Sequence, residues 1–188
     1  GSWRILLYFL GIGVAFMFIE MAFIQKFMPF LGQPIHAVAV VLCGFLVFSG
    51  IGSLFAGRLV EAGKHAALYP IVGVLIMIVL LYLWLLPLIF AGLGSMGFVP
   101  KAGVTLSLIA PLAFCMGMPF PMGLSRVSTQ TPGLLPWAWG INGCASLISA
   151  ILATLLSVHI GFDLVLVCAA AFYLMAVLLG YRINRPEP

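Results

Sequence analysis

The chain has 188 residues, of which 64% are hydrophobic and 6% charged, and its mean hydropathy is +1.29. Soluble domains carry about 25% charged residues, so this balance excludes one and leaves an integral membrane protein with almost no mass outside the bilayer. The net charge of +4 is small and scattered, which bears on membrane topology and not on nucleic acid binding. The alternating strands of a β-barrel are absent.

Gly1-Ser2 reads as a cloning scar with no initiator methionine after it, so a fragment of a longer protein is expected. Residues 3–188 then form a single all-α transmembrane domain of six helices. The first segment, Ile5–Ile24, is an apolar run long enough to span a bilayer and too long and poorly flanked for a cleaved signal peptide. Inside it stands Glu20. A carboxylate there costs roughly 2.5–3.5 kcal/mol even on lenient insertion scales, so it implies a function and a buried partner.

The second segment, Ile35–Ala56, is opened by His36. Ser49, Ser53 and Gly57 recur every four residues on one face, a small-xxx-small pattern for close helix packing or a cavity wall. Gly50-Ile51-Gly52 lies in an apolar helix with no strand before it and fails as a nucleotide loop. The third segment, Leu68–Phe90, carries almost no polar side chains and is expected to face lipid.

The fourth, Val104–Leu124, contains Pro111 and is ended by Met118-Pro119-Phe120-Pro121-Met122. Proline removes a backbone donor and clashes with the preceding turn, and interrupted membrane helices are tolerated only against protein or a cavity. Cys115, Met116, Met118 and Met122 are soft ligands of the kind that suits Cu(I). They equally suit core packing, which is the reading adopted; no metal and no cofactor are predicted. Ser125–Gly133 reads as a polar loop, with Arg126 either docking a cytoplasmic domain or facing solvent.

In the fifth segment, Trp137–Val158, the residues Asn142, Ser146, Ser149, Ala153 and Ser157 form a stripe that is either a tight helix interface or the wall of a polar cavity. His159 closes it, and a tight hairpin leads to the sixth segment, Phe162–Leu179, expected like the third to face lipid. Helices one, two and five are therefore expected at the centre. Cys43, Cys115, Cys144 and Cys168 all fall in apolar runs without a CxxC pair and read as packing residues.

Arg4, Arg58, Lys64, Arg126, Arg182 and Arg185 fall on one side, against Lys26 and Lys101 on the other. The positive-inside rule then places both termini in the cytoplasm. Trp3, Tyr69, Trp137, Trp139 and Tyr181 mark the same interface. Three crossings followed by three more give the arithmetic of a 3+3 inverted repeat, as in many transporters, and of half a facilitator-type protein. Gly52 to Arg58 with Gly63-Lys64 loosely resembles the glycine-and-basic loop of major facilitator transporters, without its acidic member.

Glu20, His36 and His159 are expected to meet in the outer half of the membrane. With Asn142 they form the predicted ligand site, able to bind a cation, relay a proton or hold an amine. Their spacing is unlike a zinc motif.

Four strings carry a wider resemblance: FMFIEMAFIQKFMPFLGQPIHAVAVVL from Phe16, FSGIGSLFAGRL from Phe48, FCMGMPFPMGL from Phe114 and PWAWGINGCAS from Pro136. Together, and over about Leu6 to Gly180, they resemble the membrane region of bacterial spermidine-synthase-like proteins. Those proteins fuse multispanning, facilitator-like segments to a polyamine aminopropyltransferase-like domain. The resemblance implies the bacterial inner membrane, and a cytoplasmic aminopropyltransferase-like domain or a second membrane half as partner, with a homodimer as the other arrangement. It also implies that this chain is not an enzyme by itself, because the catalytic part of the family has no counterpart in it. The function so implied is binding or passing a polyamine-like cation; the rival is a structural anchor for the soluble domain, without transport.

Overall fold

A computed structural model describes residues 2–183, and side chains as far as 180. Gly1 of the expected scar, the side chains of Tyr181 and Arg182, and Arg185 lie outside what is described. The elements are α1 (Ser2–Leu31), α2 (Pro34–Glu61), α3 (Leu68–Leu93), α4 (Phe98–Met116), α5 (Pro119–Gln130), α6 (Leu135–Ile160) and α7 (Phe162–Ile183), with 3₁₀ turns at His65–Ala67 and Pro132–Leu134. No strand occurs among the described residues. With α4 and α5 counted as one crossing, six helices are long and apolar enough to span a membrane. The chain is a multi-pass, all-α membrane protein.

Several helices run past their predicted ends, and α1 shows why. Gln25 and Lys26 do not terminate it, because each finds a partner: Ser157 donates to Gln25 Oε1, and Lys26 pairs with Asp163. The helix stops at Gly32, whose φ of +83° favours a residue without Cβ. Pro34 then starts α2, where a missing N–H costs nothing. The α6–α7 hairpin turns on one residue, Gly161, at φ +88°.

Helix α1 is the axis of the bundle: 61% of its most apolar stretch is buried, against 22% in each of α2, α3 and α6. It packs chiefly on α7 and α6, and α2 packs chiefly on α4. The expected centre of helices one, two and five is therefore corrected. The polar-poor α7 lies against α1, with Ala169, Tyr173 and Ala176 buried, while much of α2 and α6 faces outward. In a bilayer the surroundings are as apolar as the core, so lack of polarity does not drive a helix outward. Small residues do the sorting: a Cβ on Gly11 would sit 3.1 Å from Met175 Cε of α7.

An aromatic ladder fills the half of the core nearer the α1–α2 turn. Phe23, Phe27 and Phe30 of α1 meet Phe45 of α2 and Tyr82 and Phe90 of α3; the Phe30 and Phe90 rings stack at 4.6 Å. The fourth crossing is interrupted, not ended, by its prolines. Pro111 leaves α4 intact, Gly117 and Met118 break the helix, and α5 resumes through Gln130. The predicted polar loop at Ser125–Gly133 is thus mostly the last turns of α5.

Candidate functional site

The predicted site residues are dispersed along the bundle axis. Glu20 lies eleven residues from the end of α1, about 16 Å deep at 1.5 Å per residue and not near the surface. His36 stands in the first turn of α2, its ring 4.4 Å from that of Phe98. His159 is exposed, its Nδ1 2.8 Å from the Leu155 carbonyl. Because Ser157 is level with Gln25, His159 falls about 10 Å outward of Glu20 along the axis. Asn142 lies toward the other end, where Nδ2 donates to the Phe9 carbonyl at 3.0 Å. The expected cluster of Glu20, His36, Asn142 and His159 is therefore corrected: one short chain connection cannot bring to one depth residues that the helix rise separates.

Glu20 is 2% exposed, and its Oε1 has no hydrogen-bond partner. Among the described residues no cation pairs with it; the ion pair found is Lys26–Asp163, further out on α1 and α7. Glu20 shares its face of α1 with Phe16 and Phe23, one turn to either side. Phe45 of α2 packs on both rings, at 6.3 and 5.6 Å, and so covers the level of the carboxyl.

One turn along α1 from Glu20, toward Ser2, the same face opens onto a cavity of about 370 Å³ that is open at its side, along the exposed Leu46 and Gly50 of α2. Its walls are Ile12, Gly13, Phe16 and Met17 of α1, Ser49 and Ser53 of α2, the residues around the α4–α5 break, Asn142 and Ser146 of α6, and Tyr173 of α7. The cavity exists because the fourth crossing breaks there. A helical carbonyl accepts from the N–H four residues on; Pro121 has none, so the Gly117 carbonyl at the cavity wall has no α-helical donor. The hydroxyl of Tyr173, 1% exposed, has no hydrogen-bond partner either. Asn142 spends its amide hydrogen on Phe9 and keeps its carbonyl oxygen. The lining is uncharged and mostly apolar, with acceptor oxygens on Ser49, Ser53, Asn142 and Ser146, which suits a solute that joins an apolar body to hydrogen-bond donors.

The two predicted small-residue stripes divide between packing and cavity. Ser49 and Ser53 line the cavity with Ser146, whereas Ser149 is buried and donates to the Ala145 carbonyl in the α1–α6 seam. Gly57 has nothing within 4 Å of where a Cβ would be, so it makes no close contact. The close approach on α2 is made one residue round the helix. A Cβ on Gly52 would land on the Phe114 carbonyl, and one on Gly117 would land on that of Ser49.

Arg126 is corrected as a free docking residue. It is 8% exposed, and Nη2 donates to the His65 carbonyl at 2.6 Å, tying α5 to the α2–α3 connection. Tyr8 holds the other end of α5 by donating to the Pro119 carbonyl, also at 2.6 Å. Met116, Met118 and Met122 are buried in the apolar core, and no three His, Cys, Asp or Glu come together among the described residues.

Tyr173 was missed at the level of sequence; its signal is a lone tyrosine in the middle of an apolar segment. Gly13 was missed as well. It faces Asn142 so closely that a Cβ would lie 2.8 Å from Nδ2.

Comparison with protein-family models, curated proteins and solved structures finds no match to this chain.

Proposed function

We propose that this module binds, and passes across the membrane, a small polyamine-like cation, held in the cavity at the α4–α5 break. The observation that carries the reading is that break: a discontinuous helix at mid-bundle facing a cavity whose buried Tyr173 hydroxyl lacks a partner. Secondary transporters build their sites this way, from unwound backbone near the bilayer midplane. Acceptor oxygens from Ser49, Ser53, Asn142, Ser146 and the Gly117 carbonyl take the ligand's N–H groups. Glu20, one turn along α1, is the anionic contact for an ammonium group, since each charge lowers the cost of burying the other. His36 and His159 take no part in this version of the site.

The resemblance to spermidine-synthase-like membrane regions supplies the ligand class. The basic end, with Arg4, Arg58, Lys64 and Arg126, faces the cytoplasm of a bacterial inner membrane by the positive-inside rule.

Thermal unfolding in detergent, with and without spermidine, putrescine and their thioether by-product, tests the proposal. Ligand at a hundred times its dissociation constant stabilises by roughly 2.7 kcal/mol. The stabilisation is expected in wild type and lost in Glu20→Gln and Tyr173→Phe. No shift with any of the three ligands rejects it.

A second reading, a membrane anchor for a soluble aminopropyltransferase-like domain, has its own support. In the α1–α6 seam, Ser149, Ala153 and Ser157 are buried as packing residues. On that reading Ser53→Leu destabilises the fold as a packing residue does, and there is no ligand response to lose.

A further inference from the structure

The carboxyl of Glu20 has no partner in the described bundle, and it lies one helical turn from a cavity that we read as the seat of an ammonium ligand. Apolar surroundings do not solvate a bare carboxylate. Three occupants would resolve that: a basic side chain, a metal cation or a proton.

Among the described residues the basic side chains are at the bundle ends. Lys26, the nearest in sequence, is six residues away and engaged by Asp163, and Lys101 lies over the Phe30 ring. A metal cation needs several oxygens at once, and among the described residues no second carboxylate stands at this depth. The other groups near this level are spoken for or uncharged. Tyr82 of α3 donates to the Leu108 carbonyl at 2.6 Å, and Thr105 of α4 to that of Lys101 at 2.8 Å. Ser149 of α6 donates to Ala145, while α2 offers Phe45 and the exposed Cys43, and α7 offers Cys168. A proton needs only the one carboxyl.

We propose that Glu20 exchanges a proton for the ammonium of the cavity ligand. In the empty protein the carboxyl carries the proton. When a cationic amine enters, the O–H bond breaks, the proton leaves through the cavity to water, and the carboxylate pairs with the ammonium. One proton leaves for the one ammonium group that pairs with the carboxylate, the ligand's remaining ammonium groups keep their own protons and charge, and no oxidant or metal is involved. The inference rests on the function proposed above and adds its coupling: opposite movement of amine and proton.

Two measurements test it on the whole chain in detergent. Infrared spectra of the ligand-free protein at neutral pH are expected to contain a carboxylic acid C=O band that is lost in Glu20→Gln and shifted in Glu20→Asp. The second variant serves if the first does not fold. Absence of that band in wild type overturns the proposal whatever the ligand does. Spermidine binding is then measured by calorimetry in two buffers of different ionisation enthalpy. Release of about one proton per bound spermidine in wild type, and none in Glu20→Gln, is the expected linkage. Binding without proton release overturns the exchange and leaves the proposed function standing. Failure of spermidine, putrescine and the thioether by-product alike to bind overturns both.

Discussion

Two parallel helix pairs tie the halves of this bundle together, α1 with α6 and α2 with α4, and they use the same residue types to different ends. In the α1–α6 pair, Phe9 meets Asn142 and Gln25 meets Ser157, at sequence separations of 133 and 132. Over sixteen residues the register shifts by only one, so two unbroken helices stay in contact along the seam. The hydroxyls of Ser149 and Ser157 are buried in it, donating to carbonyls on their own helix and, for Ser157, to Gln25, while Ser146 stands at its edge, on the cavity wall. In the α2–α4 pair, contact holds where Gly44 meets Leu106 and Ile109, tightens where Gly52 lies under the Phe114 carbonyl, and stops at the break beyond Gly117. There Ser49 and Ser53 face a cavity. A spaced row of serines therefore makes a closed seam against a straight helix and a site wall against a broken one.

The comparison breaks most readily at its glycines. Gly52→Leu or Gly117→Leu drives a side chain into a backbone carbonyl that has no room to yield. A loss of about 3 kcal/mol or more, or failure to fold, is expected on the overpacking scale and is read by thermal unfolding in detergent. Gly50→Ala, with nothing within 4 Å of the new carbon, is the matched control and is expected to stay within about 0.5 kcal/mol.

The serines sharpen it next. Ser149→Leu in the closed seam is expected to cost about 1–3 kcal/mol. Ser53→Leu, which points bulk into the cavity, is expected to cost less than that and to abolish spermidine-dependent stabilisation. If both variants destabilise equally, the two faces are alike and the cavity is a packing defect.

The clasp on α5 gives a third effect. Arg126→Ala removes a charge-assisted bond to the His65 carbonyl and is expected to lower stability by about 1.5–3 kcal/mol. Arg126→Gln is expected to recover part of it. Were Arg126 a docking group on a free surface, neither variant would move the unfolding temperature. The smallest effect belongs to Lys26–Asp163. Asp163 is 66% exposed, so Asp163→Asn is expected to cost no more than about 1 kcal/mol, and the difference from wild type is expected to shrink with added salt.

Much of the fold was legible because the bilayer demands it. Six long apolar runs between short polar connections have no stable form in lipid other than spanning helices, which satisfy every backbone group internally. The proline break was legible for the same reason: Pro119 and Pro121 cannot donate, whatever surrounds them. Which helix is central was not legible. Polarity suggested helices one, two and five, but a helix such as α7, apolar on all sides, carries no sign of whether its neighbour is lipid or protein.

The candidate site divides along the same line. Glu20 stood out in the sequence, because a carboxyl in an apolar run is costly wherever the run packs. Its expected companions did not follow, because residue number gives depth along a helix only once the helix ends are known. α1 ran seven residues past its predicted end, as Gln25 and Lys26 found partners on α6 and α7. The grouping of Ser53, Asn142, Ser146 and Tyr173 was beyond the sequence altogether. Those residues lie on three helices, and what brings them to one cavity is the register of α6 on α1, the glycine-mediated crossing of α2 on α4, and the gap left where the fourth crossing breaks.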